Sequence, residues 1–150
     1  MGQDAKRRRL DIIELTEQLI AIPSISGNET EILHFVASWM QSVNFDKVIT
    51  EKRFTTGLIR ASKQPAQRAL ILCGHVDTVS PGDESAWRQS PWQPYVMSGR
   101  LYGLGATDMK AGIALQMIAA AEYTNNRRDD LDVWCVAVAS EEVDGAGSAD

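Results

Sequence analysis

The sequence predicts an α/β fold, a sheet with helices on both faces, and three observations carry that prediction. Two apolar runs of strand length, Ala69 to Cys73 and Leu131 to Ala139, the second broken only by Asp132, suit strands buried on both sides. Helical patterns precede and separate these runs, so strands and helices alternate along the chain. The 150 residues are enough for about one domain with a real core.

The elements follow in order. Leu10 to Ile22 forms an amphipathic helix, with Ile12, Leu15, Leu19 and Ile22 at helical spacing, and Pro23 ends it. Ser26 followed by Glu29 fits a capping box for a second helix, whose apolar stripe is Ile32, Phe35, Val36, Trp39, Met40 and Val43. Lys47 to Thr50 and Gly57 to Ala61 are short extended segments, and Ser62 to Arg68 is a polar break before the first buried strand. Val79 to Pro94 holds Pro81, Pro91 and Pro94 and is a long ordered loop, the kind that in a compact domain usually serves function. Val96 to Tyr102 makes a hairpin through Ser98-Gly99. Met109 to Tyr123 is an Ala-rich helix, apolar nearly all round and therefore buried. Leu131 to Ala139 is the second buried strand, and Glu141 to Ser148 a glycine-rich loop. No internal repeat or low-complexity tract interrupts the order.

Composition narrows the function. Hydrophobic residues make up 44% and charged residues 23%, which argues against disordered and fibrous classes. The 15 Lys plus Arg against 20 Asp plus Glu leave a net charge of −5, with no overall pull towards nucleic acid or an anionic membrane. No apolar run approaches the roughly 18 residues that cross a bilayer. The basic stretch Lys6 to Arg9 is followed by Asp11, Glu14 and Glu17 rather than by an apolar signal segment, and Lys6 spoils a myristoylation match at Met1-Gly2. Cys73 and Cys135 lie in apolar strand runs and are expected to be reduced core thiols of a cytoplasmic protein.

Three segments carry chemistry, each just after a strand or just before a helix. Gly74-His75-Val76-Asp77-Thr78 follows the first buried strand. Continued extension puts His75 and Asp77 on one side, where both bind a metal, or Asp77 fixes the imidazole of a metal-binding His75. A plain hydrogen-bonded histidine at a strand end has about equal standing for His75 alone. Cys73 shares the alternation, but its apolar neighbours favour a packed core residue over a thiolate ligand. The other histidine, His34, lies on the solvated face of the second helix and receives no role.

Gly103-Leu104-Gly105-Ala106-Thr107-Asp108-Met109-Lys110 has the outline of a dinucleotide-binding loop. Asp108 stands where its third glycine belongs, and a carboxylate there repels phosphate, so nucleotide binding is rejected. An anionic Asp108 at a helix N-terminus suits a cation, or simply caps the helix. Ser140-Glu141-Glu142-Val143-Asp144-Gly145 follows the second buried strand. Adjacent carboxylates at a strand end call for a cation or solvent. Either one Glu binds metal while the other takes a proton from water, or the loop is merely acidic and exposed. Together, hard oxygen donors and one imidazole suit zinc, cobalt or manganese, and a bridging carboxylate invites two ions about 3.5–4 Å apart.

With these segments in view, the sequence resembles the M20 group of metallopeptidases and deacylases, which holds deacetylases, desuccinylases, aminoacylases and carboxypeptidases. The resemblance is carried by Gly74-His75-Val76-Asp77-Thr78-Val79, by Gly99-Arg100-Leu101-Tyr102-Gly103 through Asp108-Met109-Lys110-Ala111-Gly112, and by Glu141-Glu142. The opening helix and Ile22-Pro23-Ser24-Ile25-Ser26-Gly27 extend it along essentially the whole chain. It implies a three-layer sandwich around a central, mostly parallel sheet, of the zinc-peptidase catalytic type. His75 would then bind the first of two divalent ions, zinc or else cobalt or manganese, with Asp77 orienting its ring. Asp108 would bridge the ions, Glu142 would bind the second, and Glu141 would be the general base and acid. The implied reaction is metal-assisted hydrolysis of an amide, in an N-acyl amino acid or a small peptide.

The family's members are longer and supply a further acidic ligand, a second metal-binding histidine and a lid or dimerisation domain beyond this stretch. Residues 1–150 therefore read as the amino-terminal part of a catalytic domain, inactive alone, from a parent expected to form a homodimer in its full-length form. The alternatives are a non-catalytic binding or regulatory module with the same fold, and a truncated product whose exposed strand edge invites association. Glu141 and Asp77 favour chemistry, because a pure binder needs neither a base nor a partner that fixes a tautomer.

Overall fold

The computed structural model describes residues 11–145 and residue 147 of the chain. Helix α1 spans Ile12–Ile20, started by Asp11, whose Oδ1 accepts from the N–H groups of Ile13 at 2.8 Å and Glu14 at 3.2 Å. Leu10, where the apolar spacing predicts the start of this helix, lies outside the described residues. Helix α2 spans Thr30–Ser42 and starts without a side-chain cap. The expected capping box is therefore not formed, because the Ser26 hydroxyl and the Glu29 carboxylate are engaged elsewhere in the fold.

Strands β1 (Lys47–Thr50), β2 (Phe54–Ile59), β3 (Arg68–His75) and, later in the chain, β6 (Leu131–Val138) make one sheet in the order β1-β2-β6-β3. The short turn between β1 and β2 forces an antiparallel pair; β2 and β6 are antiparallel and β6 and β3 parallel, so the sheet is mixed over the described residues. β4 (Tyr95–Met97) and β5 (Arg100–Tyr102) form the expected hairpin, with Ser98 at φ 52° and Gly99 at φ 73° turning it. Helix α3 spans Ala111–Tyr123. It is buried on the side of Ile113, Met117 and Ala120, while Leu115 is 57% exposed, so it is not enclosed all round.

The register decides which face carries the helices. Gly57 of β2 pairs with Cys135 of β6, and Gly74 of β3 with Ala137, so both glycines are on one face. A Cβ at Gly57 would meet Phe45 and Met40, and one at Gly74 would meet Met109 and Ile113, so α2 and α3 lie against that face. Leu15 and Leu19 of α1 join the same core with Ile32, Val36 and Met117. No described helix covers the opposite face.

This arrangement corrects the expectation for β3. Its apolar run suits burial on both sides, yet Ile71 is 64% exposed on the face without a helix and Leu70, on the helix side, is 45% exposed, because β3 stands at the end of the strand order. Cys73 is exposed for the same reason rather than packed in the core. Cys135 is buried, and burial pushes its thiol up to about 12, with the nearby Cys73 adding to the effect; both thiols are free.

Candidate metal centre

β3 and β6 run parallel, so their C-terminal ends meet at one edge of the sheet, where His75 pairs with Val138. Open α/β sheets place their sites at such an edge, since the loops leaving adjacent parallel strands converge there. The segment after β3 is stitched to the turn that follows α1. Ser24 Oγ donates to the carbonyl of Val76 at 2.8 Å, the Thr78 N–H to the carbonyl of Ser24 at 2.9 Å, and the Ser26 N–H to the carbonyl of Thr78 at 3.2 Å.

His75 is buried, and its Nδ1 lies 3.0 Å from the main-chain carbonyl oxygen of Asp77. A carbonyl only accepts, so Nδ1 carries a proton and Nε2 turns its other position towards Asp108 Oδ1, 3.0 Å away, and Glu141 Oε2, 3.9 Å away. A bare Nε2 lone pair facing a carboxylate oxygen at that distance is repulsive unless a proton or a cation lies between them. Burial works against a charged ring, but Asp108, Asp77 and Glu141 outweigh it and hold the imidazole pKa above its ordinary value.

Asp77 is wholly buried, and its carboxylate faces the backbone of the glutamates more closely than it faces the ring. Oδ1 accepts from the Glu141 N–H and Oδ2 from the Glu142 N–H, both at 3.1 Å, and Oδ2 also accepts from Ser26 Oγ at 2.7 Å. The distance from Oδ1 to His75 Nδ1 is 3.5 Å. The ring is thus oriented by the carbonyl of Asp77, while its carboxylate anchors the turn after β6.

Asp108 lies in a kinked stretch ahead of α3, with φ −124° and ψ 99°, and its side chain is 74% exposed. The helix-capping reading of Asp108 fails, because regular helix begins only at Ala111 and the intervening chain is drawn elsewhere. Lys110, fully buried, donates from Nζ to the carbonyls of Leu19 at 2.9 Å and Ile22 at 2.8 Å, which pins this stretch to the end of α1. Burial pulls its ammonium down to about 8. Gly105, at φ 74°, lets the loop pass Thr78, whose Cγ2 would lie 2.6 Å from an added Cβ.

His75, Asp108 and Glu142 each offer a ligand atom, and these atoms lie within 4.8 Å of one another. Two ligands of a tetrahedral zinc, each about 2.0–2.1 Å from the ion, are about 3.3 Å apart, close to the His75–Asp108 separation. The donor set fits a divalent cation: one neutral imidazole nitrogen and a surplus of carboxylates. A cavity of about 470 Å³ adjoins this cluster at Asp108, lined among others by Trp87, Tyr95, Arg100 and Tyr102, with the two tyrosine rings stacked 5.0 Å apart.

Residues 71–150 match the family model for Peptidase family M20/M25/M40. The chain belongs to this family. An acetylornithine deacetylase of Proteus mirabilis is 34% identical over 145 residues, covering 91% of this chain and 37% of that protein. A succinyl-diaminopimelate desuccinylase of Cereibacter sphaeroides is 30% identical over 138 residues, covering 91% of the chain and 36% of that protein. The chain therefore spans little more than a third of the length of these relatives. Among solved structures, an M20 family metallo-carboxypeptidase of Sulfolobus solfataricus superposes with a TM-score of 0.77 at 18% identity, covering 89% of this chain and 31% of that one. That likeness bears out the α/β class, as the fold of an M20 catalytic domain of which this chain forms part.

Of the residues singled out in this M20 chain, the structure gathers His75, Asp77, Asp108, Glu141 and Glu142 at one edge and leaves His34 exposed on α2. Sequence reasoning missed Ser26, Glu29, Lys110 and Ser140. Ser26 and Glu29 did stand out, as a capping box, but their partners are 51 and 111 positions away and no local pattern reveals them. Among the described residues no helix is long and apolar enough to cross a membrane.

Proposed function

We propose that the protein carrying this chain is a hydrolase that uses two divalent ions to cleave the amide of an N-acyl amino acid or small peptide. His75, Asp108 and Glu142 would hold the ions, zinc fitting the donor set and cobalt or manganese also suiting it, and Asp108 would serve both. The ions would polarise the scissile carbonyl and lower the pKa of the attacking water. The single observation that carries this reading is the convergence of ligand atoms from His75, Asp108 and Glu142 within 4.8 Å of one another, with His75 Nε2 only 3.0 Å from Asp108 Oδ1, where a cation would replace the proton between them. Three carboxylates left to face one imidazole, those of Asp108, Glu141 and Glu142, are more than a single divalent ion would neutralise.

Asp77 keeps the ring of His75 turned by its main-chain carbonyl and holds the N–H groups of the two glutamates by its carboxylate. Glu141, with its side chain 49% exposed beside His75, accepts the proton of the attacking water and passes it to the leaving nitrogen. The cavity lined by Trp87, Tyr95, Arg100 and Tyr102 receives part of the substrate. The remaining ligands and the substrate-selecting groups lie in the part of the protein that the relatives add beyond this stretch. The amino-terminal segment is expected to be inactive alone.

The test uses the full-length protein with N-acetyl and N-succinyl amino acids beside dipeptides, and with Glu141→Ala. Turnover of one of these classes that chelator abolishes and Zn²⁺ or Co²⁺ restores is the expected result. Glu141→Ala should keep both ions while losing turnover by at least about 100-fold, the usual worth of a general base. Loss of an ion from that variant would reverse the roles of Glu141 and Glu142, and a metal-free wild type without hydrolysis would end the reading.

A further inference from the structure

Glu29 is a carboxylate where the fold should not need one. It is only 7% exposed, and it does not cap α2, at whose start it stands. One oxygen, Oε1, accepts from the Gly27 N–H at 2.8 Å, the Ser140 N–H at 3.0 Å and the Ser140 hydroxyl at 3.1 Å. Burying an ionised carboxylate is costly unless hydrogen bonds compensate it, and an exposed residue would start the helix as well.

Ser140 explains the investment. Its φ is 59°, in the left-handed region that disfavours a side chain by roughly 1–2 kcal/mol, and it stands directly before Glu141 and Glu142. That conformation swings the chain off β6 so that successive N–H groups point inward. The Ser140 N–H is held by Glu29, and those of Glu141 and Glu142 by Asp77. Consecutive amides turned to one side form a concavity that favours anions, and here two buried carboxylates occupy it. Asp77 fixes the second and third amides, but the direction in which the turn leaves the strand is set at Ser140.

We propose that Glu29 is a positioning residue of the metal centre, which by locking Ser140 in its left-handed conformation aims Glu142 at the ions and Glu141 at the water. This rests on the reading of the site given under Proposed function. The carboxylate does not touch the ions; it acts through the main chain of Ser140, so its loss should be felt at the ion that Glu142 holds.

The experiment is a Co²⁺ titration of the full-length protein, followed by visible absorption and equilibrium dialysis, on wild type, Glu29→Ala, Glu29→Gln and Ala37→Gly. Ala37 is buried in α2, away from the centre, and serves as a control for general destabilisation. In Glu29→Ala one ion should bind about 10–100-fold more weakly, the usual cost of losing a supporting partner, while the other is within about threefold of wild type. Glu29→Gln, whose amide oxygen still accepts from Ser140, should restore both. Unchanged affinities in folded Glu29→Ala, or equal weakening of both ions there and in Ala37→Gly, would overturn the proposal. If Glu29→Ala does not fold, amide hydrogen exchange at Ser140 in the unaltered, metal-free protein decides the matter. Protection there supports the clamp, and fast exchange in the folded protein overturns it. A wild type that takes up no Co²⁺ would instead tell against the metal-centre reading, with exchange still testing the clamp.

Discussion

The carboxylate of Asp77 and the main-chain N–H of Glu142 are joined by a 3.1 Å hydrogen bond across 65 positions of sequence. The bond closes the gap between the segments leaving β3 and β6, which the parallel pairing brings side by side. A buried anion thus orders the glutamates through their backbone and leaves their side chains free to meet other partners.

Asp77→Asn should break this arrangement while nearly preserving volume. An amide supplies one acceptor oxygen in place of two, so one of the N–H groups of Glu141 and Glu142 faces an NH₂ group. Stability should fall by about 1–3 kcal/mol, the cost of an unpaired buried donor, as read from urea denaturation. Metal affinity should fall about 10–100-fold in the same variant. Wild-type behaviour in both measurements would show that the buried carboxylate is dispensable.

Lys110→Met tests the tie between α1 and the stretch that carries Asp108. Methionine replaces the aliphatic stem of the lysine but cannot donate to the carbonyls of Leu19 and Ile22, which then lose a charged partner. A loss of about 1.5–3 kcal/mol is expected in chemical denaturation. Lys110→Arg should not rescue it, since the fully buried site leaves no room for a guanidinium. An Arg variant as stable as wild type would mean that the ammonium is not held as tightly as its hydrogen bonds indicate.

The acid limb of the stability curve should depend in part on Asp46. Burial alone would raise its carboxyl pKa, but Arg127 at 2.6 Å and the Arg60 N–H at 2.7 Å hold it below the ordinary 3.8. The unfolded chain therefore takes up the proton first. The stabilisation is complete above pH 3.8 and is lost as pH falls through the lower native value. Asp46→Asn should remove that contribution at neutral pH, by under about 1 kcal/mol for so accessible a pair, and leave a shallower acid limb. Equal slopes in the two proteins between about pH 5 and pH 2, in acid titrations followed by circular dichroism, would count against this, since that range covers carboxylate protonation.

The elements were legible because their causes are local. The spacing of Leu15 and Leu19, the stripe from Ile32 to Met40 and the Ser98-Gly99 turn each specify a helix or a hairpin without help from distant residues. The segments that converge at this edge were legible too, since His75, Asp77, Asp108, Glu141 and Glu142 are residue types that seldom serve packing at strand ends.

What the sequence left undecided depended on partners far away along the chain. Ser26 and Glu29 have the spacing of a helix cap, but a hydroxyl and a carboxylate bond whichever donors and acceptors the fold brings nearest, here Asp77 and Ser140. Lys110 follows a loop and has no local mark of burial; the open carbonyls at the end of α1, with the ring of Trp92 beside the ammonium, make its interior place tolerable. The apolar run of β3 specified a strand, whereas its exposure was set by its place at the end of the sheet order. Local sequence determined which segments are helix or strand and which ionisable residue types stand at their ends. Tertiary structure alone decided which carboxylates are spent on backbone amides and which are left to face His75, because that choice depends on distances no linear pattern contains.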